Sequence, residues 1–245
     1  MIVERSIHIG GDRVHRLCQV IWQDFFHLFQ YQFHVQIPRT TNQPRSLSRL
    51  QATNYQPFFY LYLKGKVEGT EYIPKSGGFV VVSNHGSNFD PPLLSAAVRR
   101  PVAYMAKEEL FEVPVLKNAI KLYGAYPVKR GAVDRNTIKA ALAYLEAGWG
   151  VGIFLSGTRT PDGKVIDPKP GAALIAAKAQ VPLLPVSMWG THSIEQIGKK
   201  YPQSTPVTIR IGELIPAPTS TKRSELDRVT DLCTTKINDL HDLGR

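Results

Sequence analysis

Short apolar runs alternate with helix-like stretches over most of the chain after residue 60. The runs have the length of strands and predict strands over Tyr60–Val67, Phe79–Val82, Val151–Leu155, Leu183–Met188 and Val207–Ile211. Apolar residues at helical spacing predict helices over Pro91–Val98, Asn136–Trp149 and Gly171–Ala179, and a last helix that carries Leu226 to Leu240. This alternation predicts an α/β fold with a mixed sheet flanked by helices.

A polar linker from Pro38 to Pro57 divides the chain. It is rich in Thr, Asn, Gln, Pro, Ser and Arg and has little periodicity, which is typical of connecting segments. We therefore expect residues 1–57 to form an N-terminal membrane-associating segment with its linker, and residues 58–245 to form the α/β domain.

Residues 13–35 are rich in bulky apolar and aromatic side chains, several of them at helical spacing. This pattern predicts one or two amphipathic helices, whose aromatic face either packs on the domain core or lies among membrane headgroups. The longest uncharged stretch, Phe25–Pro38, is shorter than the roughly 18–20 apolar residues that cross a bilayer. We expect a peripheral protein on the cytoplasmic side of a membrane, without a signal peptide.

The chain carries a formal net charge of +10, which favours anionic partners such as a phosphorylated ligand or an acidic membrane face. No basic module with interleaved aromatic residues is present, so we do not expect nucleic-acid binding. The 2 cysteines, Cys18 and Cys233, exclude a disulfide framework and a cysteine-based zinc site.

The segment Asn84–Asp90 directly follows the predicted strand Phe79–Val82. The loop must turn into a helix there, and such a turn can bring the carboxylate of Asp90 to one imidazole nitrogen of His85. The other nitrogen would then be free to take a proton from an alcohol, a task that suits histidine because its ordinary pKa is about 6.5. Asp90 also suits the N-cap of the next helix, with Pro91 at its first position, so a structural role stays open.

Two further segments offer cations to an anionic ligand. Lys129 and Arg130 are adjacent and end an apolar stretch, and Arg159 follows the predicted strand Val151–Leu155. Glycine beside Arg159 lets the backbone approach a ligand, and a guanidinium group suits phosphate oxygens. Each segment, taken singly, is also explained as a solvated polar turn. A fourth segment, Val181–Ser187, has no titratable group and is either a core strand or the wall of an apolar tunnel.

In order and spacing, these four segments resemble the motifs of the 1-acylglycerol-3-phosphate (lysophosphatidic acid) acyltransferase family, above all its bacterial and plastid members. The family motifs are Asn-His-x4-Asp, Gly-x-x-Pro/Phe-Val/Ile-x-Arg, Phe-Pro-Glu-Gly-Thr-Arg and Val-Pro-x-x-Pro-Val. The resemblance covers roughly Val67 to Ile215 and implies a glycerolipid acyltransferase-like sheet. It implies that His85 is the general base and that Asp90 orients it. It also implies that substrate binding involves Lys107, Lys129, Arg130, Ser156, Gly157, Thr158 and Arg159.

The resemblance further implies transfer of a fatty acyl group from acyl-CoA or acyl-carrier protein to the sn-2 hydroxyl of 1-acylglycerol 3-phosphate. The product would be phosphatidic acid for phospholipid biosynthesis, and no metal or redox cofactor is implied. The chain departs from the family at Leu155-Ser156, where the third motif has Pro-Glu. Two alternatives therefore stay open: an acyltransferase with another acceptor, such as glycerol 3-phosphate or another lysolipid, or a catalytically weakened lipid-binding homologue.

Overall fold

The computed structural model describes residues 58–107, 112, 125–128, 135–195, 199 and 202–245. The predicted N-terminal segment 1–57, with its amphipathic helices, and the cations Lys129 and Arg130 lie outside these residues. Lys107 is described by its backbone only.

Within these described residues, seven strands and four α-helices form a layered α/β unit. The strands are β1 (Lys66–Glu68), β2 (Phe79–Ser83), β3 (Val102–Lys107), β4 (Tyr126–Val128), β5 (Gly150–Phe154), β6 (Leu183–Trp189) and β7 (Thr208–Ile211). The helices are α1 (Asp90–Val98), α2 (Arg135–Glu146), α3 (Gly171–Ala179) and α4 (Arg223–Asp242). Short turns of other helix types cover Phe58–Tyr62, Thr70–Tyr72 and Thr191–Ser193.

The strands form one sheet in the order β1-β7-β6-β2-β5-β3-β4. All neighbours are parallel except β6 and β7, which are antiparallel, so the sheet is mixed as the sequence predicted. The central strand β2 is buried along its whole length because helices cover both of its faces. Val80 and Val82 pack with α2, α3 and α4, whereas Phe79 and Val81 pack with α1.

One predicted strand, Tyr60–Val67, is wrong in its first half. Phe58–Tyr62 forms a helical turn, and pairing to β7 begins only at Lys66. Phe59 and Leu63 are buried while Leu61 is 80% exposed, which is the four-residue spacing of a helix rather than strand alternation. A short apolar run does not distinguish these two patterns, and burial decided between them here.

The predicted N-cap is also wrong in detail. Phe89 occupies the N-cap position of α1 and Asp90 is the first helical residue. The Asp90 side chain points back toward the loop that precedes the helix, where it accepts hydrogen bonds from the backbone N–H groups of Gly86 and Ser87. The carboxylate therefore organises the loop rather than the first turn of the helix.

Strands β3 and β4 were not predicted from the sequence. β3 contains Ala, Met and Lys, which have little preference for strands, and β4 has only three residues. Both are held by pairing with neighbours, β3 with β5 and β4 with β3. Within the described ranges, no helix combines the length and the apolar character needed to cross a bilayer.

Candidate active site

The candidate catalytic residues lie at the carboxyl ends of three adjacent parallel strands, β6, β2 and β5. The loop with His85 follows β2, the turn with Arg159 follows β5, and a short helical turn with His192 follows β6. Parallel neighbours end at the same edge of a sheet, and such edges are the usual ligand sites of α/β folds. Segments that are far apart in sequence therefore meet at one place.

His85 and Asp90 form a tight pair at this edge. The Nδ1 atom of His85 lies 2.7 Å from Oδ2 of Asp90, and the same oxygen accepts the N–H groups of Gly86 at 2.7 Å and Ser87 at 2.9 Å. Asp90 is fully buried. Oδ2 accepts both backbone N–H groups, so this oxygen suits Nδ1 of His85 as a third donor, and Nε2 lies on the side of the ring away from the carboxylate.

The ring of His85 is held flat against Phe154, with 4.1 Å between ring centroids and 15° between planes. The His85 side chain is 17% exposed, and among the described residues Nε2 has no hydrogen-bond partner. An imidazole whose direction is fixed on a partly exposed ring is placed to accept a proton from a bound alcohol.

Asn84 anchors this loop to the end of β6. Its Oδ1 accepts the N–H of Met188 at 2.8 Å, and its Nδ2 donates to the carbonyls of Met188 and Gly163. Thr160 holds the loop from the other side, because its backbone N–H donates to the carbonyl of His85 at 2.8 Å. The backbone on both sides of the imidazole is thus fixed by its neighbours.

Gly86 sits where the loop touches the turn after β6. A Cβ atom at this position would lie 2.9 Å from the backbone nitrogen of His192, closer than real contacts allow. Glycine therefore permits the approach of these two loops, and a larger residue would push the loop that carries His85 away from its neighbour.

Arg159 lies on the open side of the site and is half-exposed. Its Nη1 atom is 3.6 Å from Oε2 of Glu195. An open pocket of about 320 Å³ is lined by Gly86, Thr158, Arg159, His192 and Glu195, among others. The free guanidinium N–H groups can bind an anionic group of a ligand in this pocket.

The other predicted binding residues differ in their access to the pocket. Gly157 and Thr158 are exposed in the turn after β5, and Gly157 has the left-handed φ of +66° that favours glycine. Ser156 is 7% exposed, and its hydroxyl accepts the N–H of Ile166 at 3.1 Å. The structure therefore brings Thr158 and Arg159 to the pocket and directs Ser156 into the protein.

Lys107 is the last residue of β3, which is parallel to β5 and ends at the same edge of the sheet. Its backbone position is compatible with the predicted contribution to the site. The roles predicted for Lys129 and Arg130 concern residues outside the described ranges.

Sequence reasoning missed three residues of this site: Phe154, His192 and Glu195. Phe154 stood inside a motif segment, and its position at the end of a predicted strand placed it at the correct edge. His192 and Glu195 had no such signal, because they follow β6 in a segment without a recognised motif. The rule that parallel strands end at one edge, applied to β6, would have found them.

A family model described as "Acyltransferase" matches residues 64–189 of the chain. The 1-acyl-sn-glycerol-3-phosphate acyltransferase of Bacillus subtilis is 35% identical over 143 residues, which are 57% of this chain and 71% of the relative. A chloroplast 1-acyl-sn-glycerol-3-phosphate acyltransferase of Brassica napus is 33% identical over 146 residues, 58% of this chain and 42% of the relative. The chain thus spans less than half the length of that plant relative.

The crystal structure of the 1-acyl-sn-glycerophosphate acyltransferase of Thermotoga maritima has a similar fold. The TM-score is 0.70 with 28% sequence identity, and the match covers 92% of each chain. The mixed sheet and its flanking helices are therefore shared with a solved member of the predicted family.

Proposed function

Because the chain belongs to the acyltransferase family, we propose that it transfers a fatty acyl group from a thioester to the sn-2 hydroxyl of 1-acylglycerol 3-phosphate. The product is phosphatidic acid. The observation that carries this proposal is the His85–Asp90 pair, whose imidazole side chain is 17% exposed and whose histidine directly precedes Gly86, which lines one pocket together with Arg159. A base for a hydroxyl and a cation for a phosphate are the two groups that this acceptor requires.

In the proposed mechanism His85 removes a proton from the acceptor hydroxyl. An alcohol is a poor nucleophile until that proton is leaving, so Nε2 takes it as the oxygen attacks the thioester carbonyl. Asp90 stabilises the imidazolium that forms, since Nδ1 stays hydrogen-bonded to the buried carboxylate. The tetrahedral intermediate then collapses: the C–O ester bond remains, the C–S bond breaks, and the thiolate recovers the proton from Nε2.

Arg159 binds the acceptor phosphate in this proposal. Thr158 and the backbone of Gly157 lie in the same turn and offer further hydrogen-bond donors. Lys107, Lys129 and Arg130 are proposed to add positive charge to the phosphate site. Several cations around one phosphate are consistent with the net charge of +10.

The donor is proposed to be acyl-CoA or acyl-carrier protein, and the lysophosphatidate is proposed to come from a membrane surface. The aromatic segment 13–35 would enter the interface of an anionic membrane while nearby arginines attract headgroups. Flotation of the full chain with anionic vesicles should weaken in high salt and after Trp22→Ser with Phe25→Ser. Unchanged flotation in both cases would argue that the segment packs on the domain instead.

The decisive experiment is an acyl-transfer assay on the purified full chain with both donor types. The acceptors are lysophosphatidate, glycerol 3-phosphate and lysophosphatidylcholine, with a sample that lacks acceptor as the blank. Phosphatidic acid identified by mass spectrometry, with thiol released in equal amount, is expected with lysophosphatidate. Transfer only to another acceptor, or lysophosphatidate binding without thiol release, would replace this proposal with one of the two alternatives.

A further inference from the structure

The carboxylate beside Arg159 comes from Glu195, which lies in the turn after β6 and beyond the residues 64–189 that the family model matches. We infer that Glu195 is a positioning residue, whose carboxylate joins the turn after His85 to Arg159 and keeps the guanidinium in its phosphate-binding pose. The inference rests on the proposed function and assigns a role to a residue that no motif contains.

Three hydrogen bonds fix the carboxylate on the turn that follows His85. Oε2 of Glu195 accepts the hydroxyl of Ser87 at 2.7 Å and the backbone N–H of Asn88 at 2.6 Å. Oε1 accepts the side-chain amide of Asn88 at 2.8 Å. Both oxygens are engaged, so the carboxylate is held in one orientation relative to the loop that carries His85 and Asp90.

The negative charge of Glu195 is not cancelled by these neutral donors. Burial alone would raise the pKa of this carboxyl group, but the hydrogen bonds from Asn88 and Ser87 and the charge of Arg159 lower it below its ordinary value. Glu195 is therefore ionised at neutral pH, and its charge acts on Arg159.

Arg159 is attracted by this carboxylate but does not form a direct hydrogen bond with it. The separation of 3.6 Å exceeds the roughly 2.7–2.9 Å of a direct charge-assisted hydrogen bond, and half of the side chain is exposed. The guanidinium keeps its donors for a ligand while the charge limits the directions in which it points. A cation held in this way is better suited to orient a bound phosphate than to bind it as tightly as possible.

No other carboxylate within the described ranges forms an ion pair with Arg159. Ser156, at the position where the resembled motif has glutamate, is neutral, and its hydroxyl is bonded to Ile166. Glu195 thus supplies from the β6 side the negative charge that the turn after β5 lacks.

Glu195→Gln removes the charge and can keep the loop contacts. The glutamine oxygen replaces Oε2 as acceptor for Ser87 and the Asn88 backbone, and the Asn88 amide turns over to accept the glutamine N–H group. With lysophosphatidate and acyl-CoA, we expect kcat to fall at least about fivefold while the acceptor KM changes less than about twofold, which marks lost positioning. The melting temperature should stay within about 2 °C of wild type, and Glu195→Asp should recover part of kcat.

A second measurement excludes a role in loop stability alone. In an Arg159→Ala background the added Glu195→Gln change should lower kcat less than about twofold, because the two side chains act through one contact. Glu225→Gln, which removes another carboxylate paired with an arginine but far along the chain on α4, is the matched control and should leave kcat and KM unchanged.

Three results would each overturn the inference. They are a wild-type kcat in Glu195→Gln, additive losses of kcat in the double variant, and an acceptor KM that rises by a larger factor than kcat falls. A wild-type chain that does not acylate lysophosphatidate would instead overturn the proposed function, so the two failures are distinguishable.

Discussion

The two sides of the site are built differently. Asp90 is fully buried and His85 is 17% exposed, and both are fixed by a ring stack, backbone hydrogen bonds and the anchor at Asn84. Arg159 and Glu195 are 50% and 33% exposed and meet at 3.6 Å. The group that would move the proton is held by the sheet, while the group that would meet the phosphate lies on a surface turn.

This difference follows from what each side has to do. A general base must keep one nitrogen within hydrogen-bond distance of the reacting hydroxyl, and small displacements are costly in rate. A phosphate-binding cation must admit a headgroup that arrives from solvent or from a membrane, so some exposure is required. The comparison predicts the largest losses of kcat from changes on the buried side, and losses of acceptor affinity with smaller losses of kcat from changes at Arg159.

The largest effect is expected for His85→Ala. Removing the base should lower kcat by about 10⁴-fold, the upper end of what general-base catalysis contributes. The ring lies in a partly open site, so the melting temperature should change by only a few degrees, as measured by circular dichroism. Turnover within about tenfold of wild type would show that the imidazole is not the base.

The second-largest loss of turnover is expected for Asp90→Asn. The amide oxygen can still accept the N–H groups of Gly86, Ser87 and His85, but the charge that stabilises the imidazolium is lost. We expect kcat to fall about 10²-fold with little change in the acceptor KM, measured by initial rates.

The same variant has a defined structural cost. Oδ1 of Asp90 is buried and has no hydrogen-bond partner among the described residues, and the asparagine NH₂ group would take its place. An unpaired buried donor costs about 1–3 kcal/mol of stability. A variant that melts like wild type and turns over like wild type would contradict both parts of the argument.

Arg159→Ala should weaken acceptor binding and should also lower kcat at least as much as Glu195→Gln does, because Glu195 acts through Arg159. Loss of one charge-assisted contact to phosphate is worth roughly 1.5–3 kcal/mol before solvent screening, so the KM for lysophosphatidate should rise about tenfold. The donor KM should change less than twofold. Arg228→Ala on α4 is the matched control. Equal changes in both KM values would place Arg159 away from the phosphate.

The smallest expected effect concerns His241, a buried histidine on α4. Whereas Nδ1 of His85 is hydrogen-bonded to a carboxylate, Nε2 of His241 has no hydrogen-bond partner among the residues that the structure describes. A Cβ atom at Gly163 would lie 3.2 Å from Nε2 of His241 and 3.3 Å from Nδ1 of His192, so both imidazoles face the same point. Burial lowers the pKa of His241, the charges of Lys164 and His192 lower it further, and Asp242 and Asp162 oppose this.

The sign of the pH effect follows from that direction. His241 binds protons more weakly in the folded chain than in the unfolded chain. Its contribution to the free energy of unfolding is therefore complete above about pH 6.5, and it is lost as the pH falls through the lower pKa of the folded state. Melting temperatures at pH 7.5 and 5.5 should therefore differ less in His241→Gln than in wild type, by a few degrees. An equal difference in both proteins would show that His241 does not titrate in this range.

Much of the fold was predictable because its signals are local. The apolar runs that form β2, β5 and β6 and the small-residue helix α3 were found from the sequence, α3 with both ends correct. The pairing of His85 with Asp90 was predictable for the same reason, since the two residues lie on one short loop. Phe58–Tyr62 and β3 were missed because their conformation depends on burial and strand pairing rather than on their own residues.

The sequence by itself determined which chemical groups are available: an imidazole with a nearby carboxylate, a cation after a strand, and a motif that lacks its glutamate. Only the tertiary structure decided that Ser156 faces Ile166 and that the carboxylate beside Arg159 is Glu195. The physical reason is the sheet order, which places the ends of β6, β2 and β5 side by side although Asn88 and Glu195 are 107 residues apart. Contacts across such a distance leave no periodic signal in the chain, so they become visible only in the folded protein.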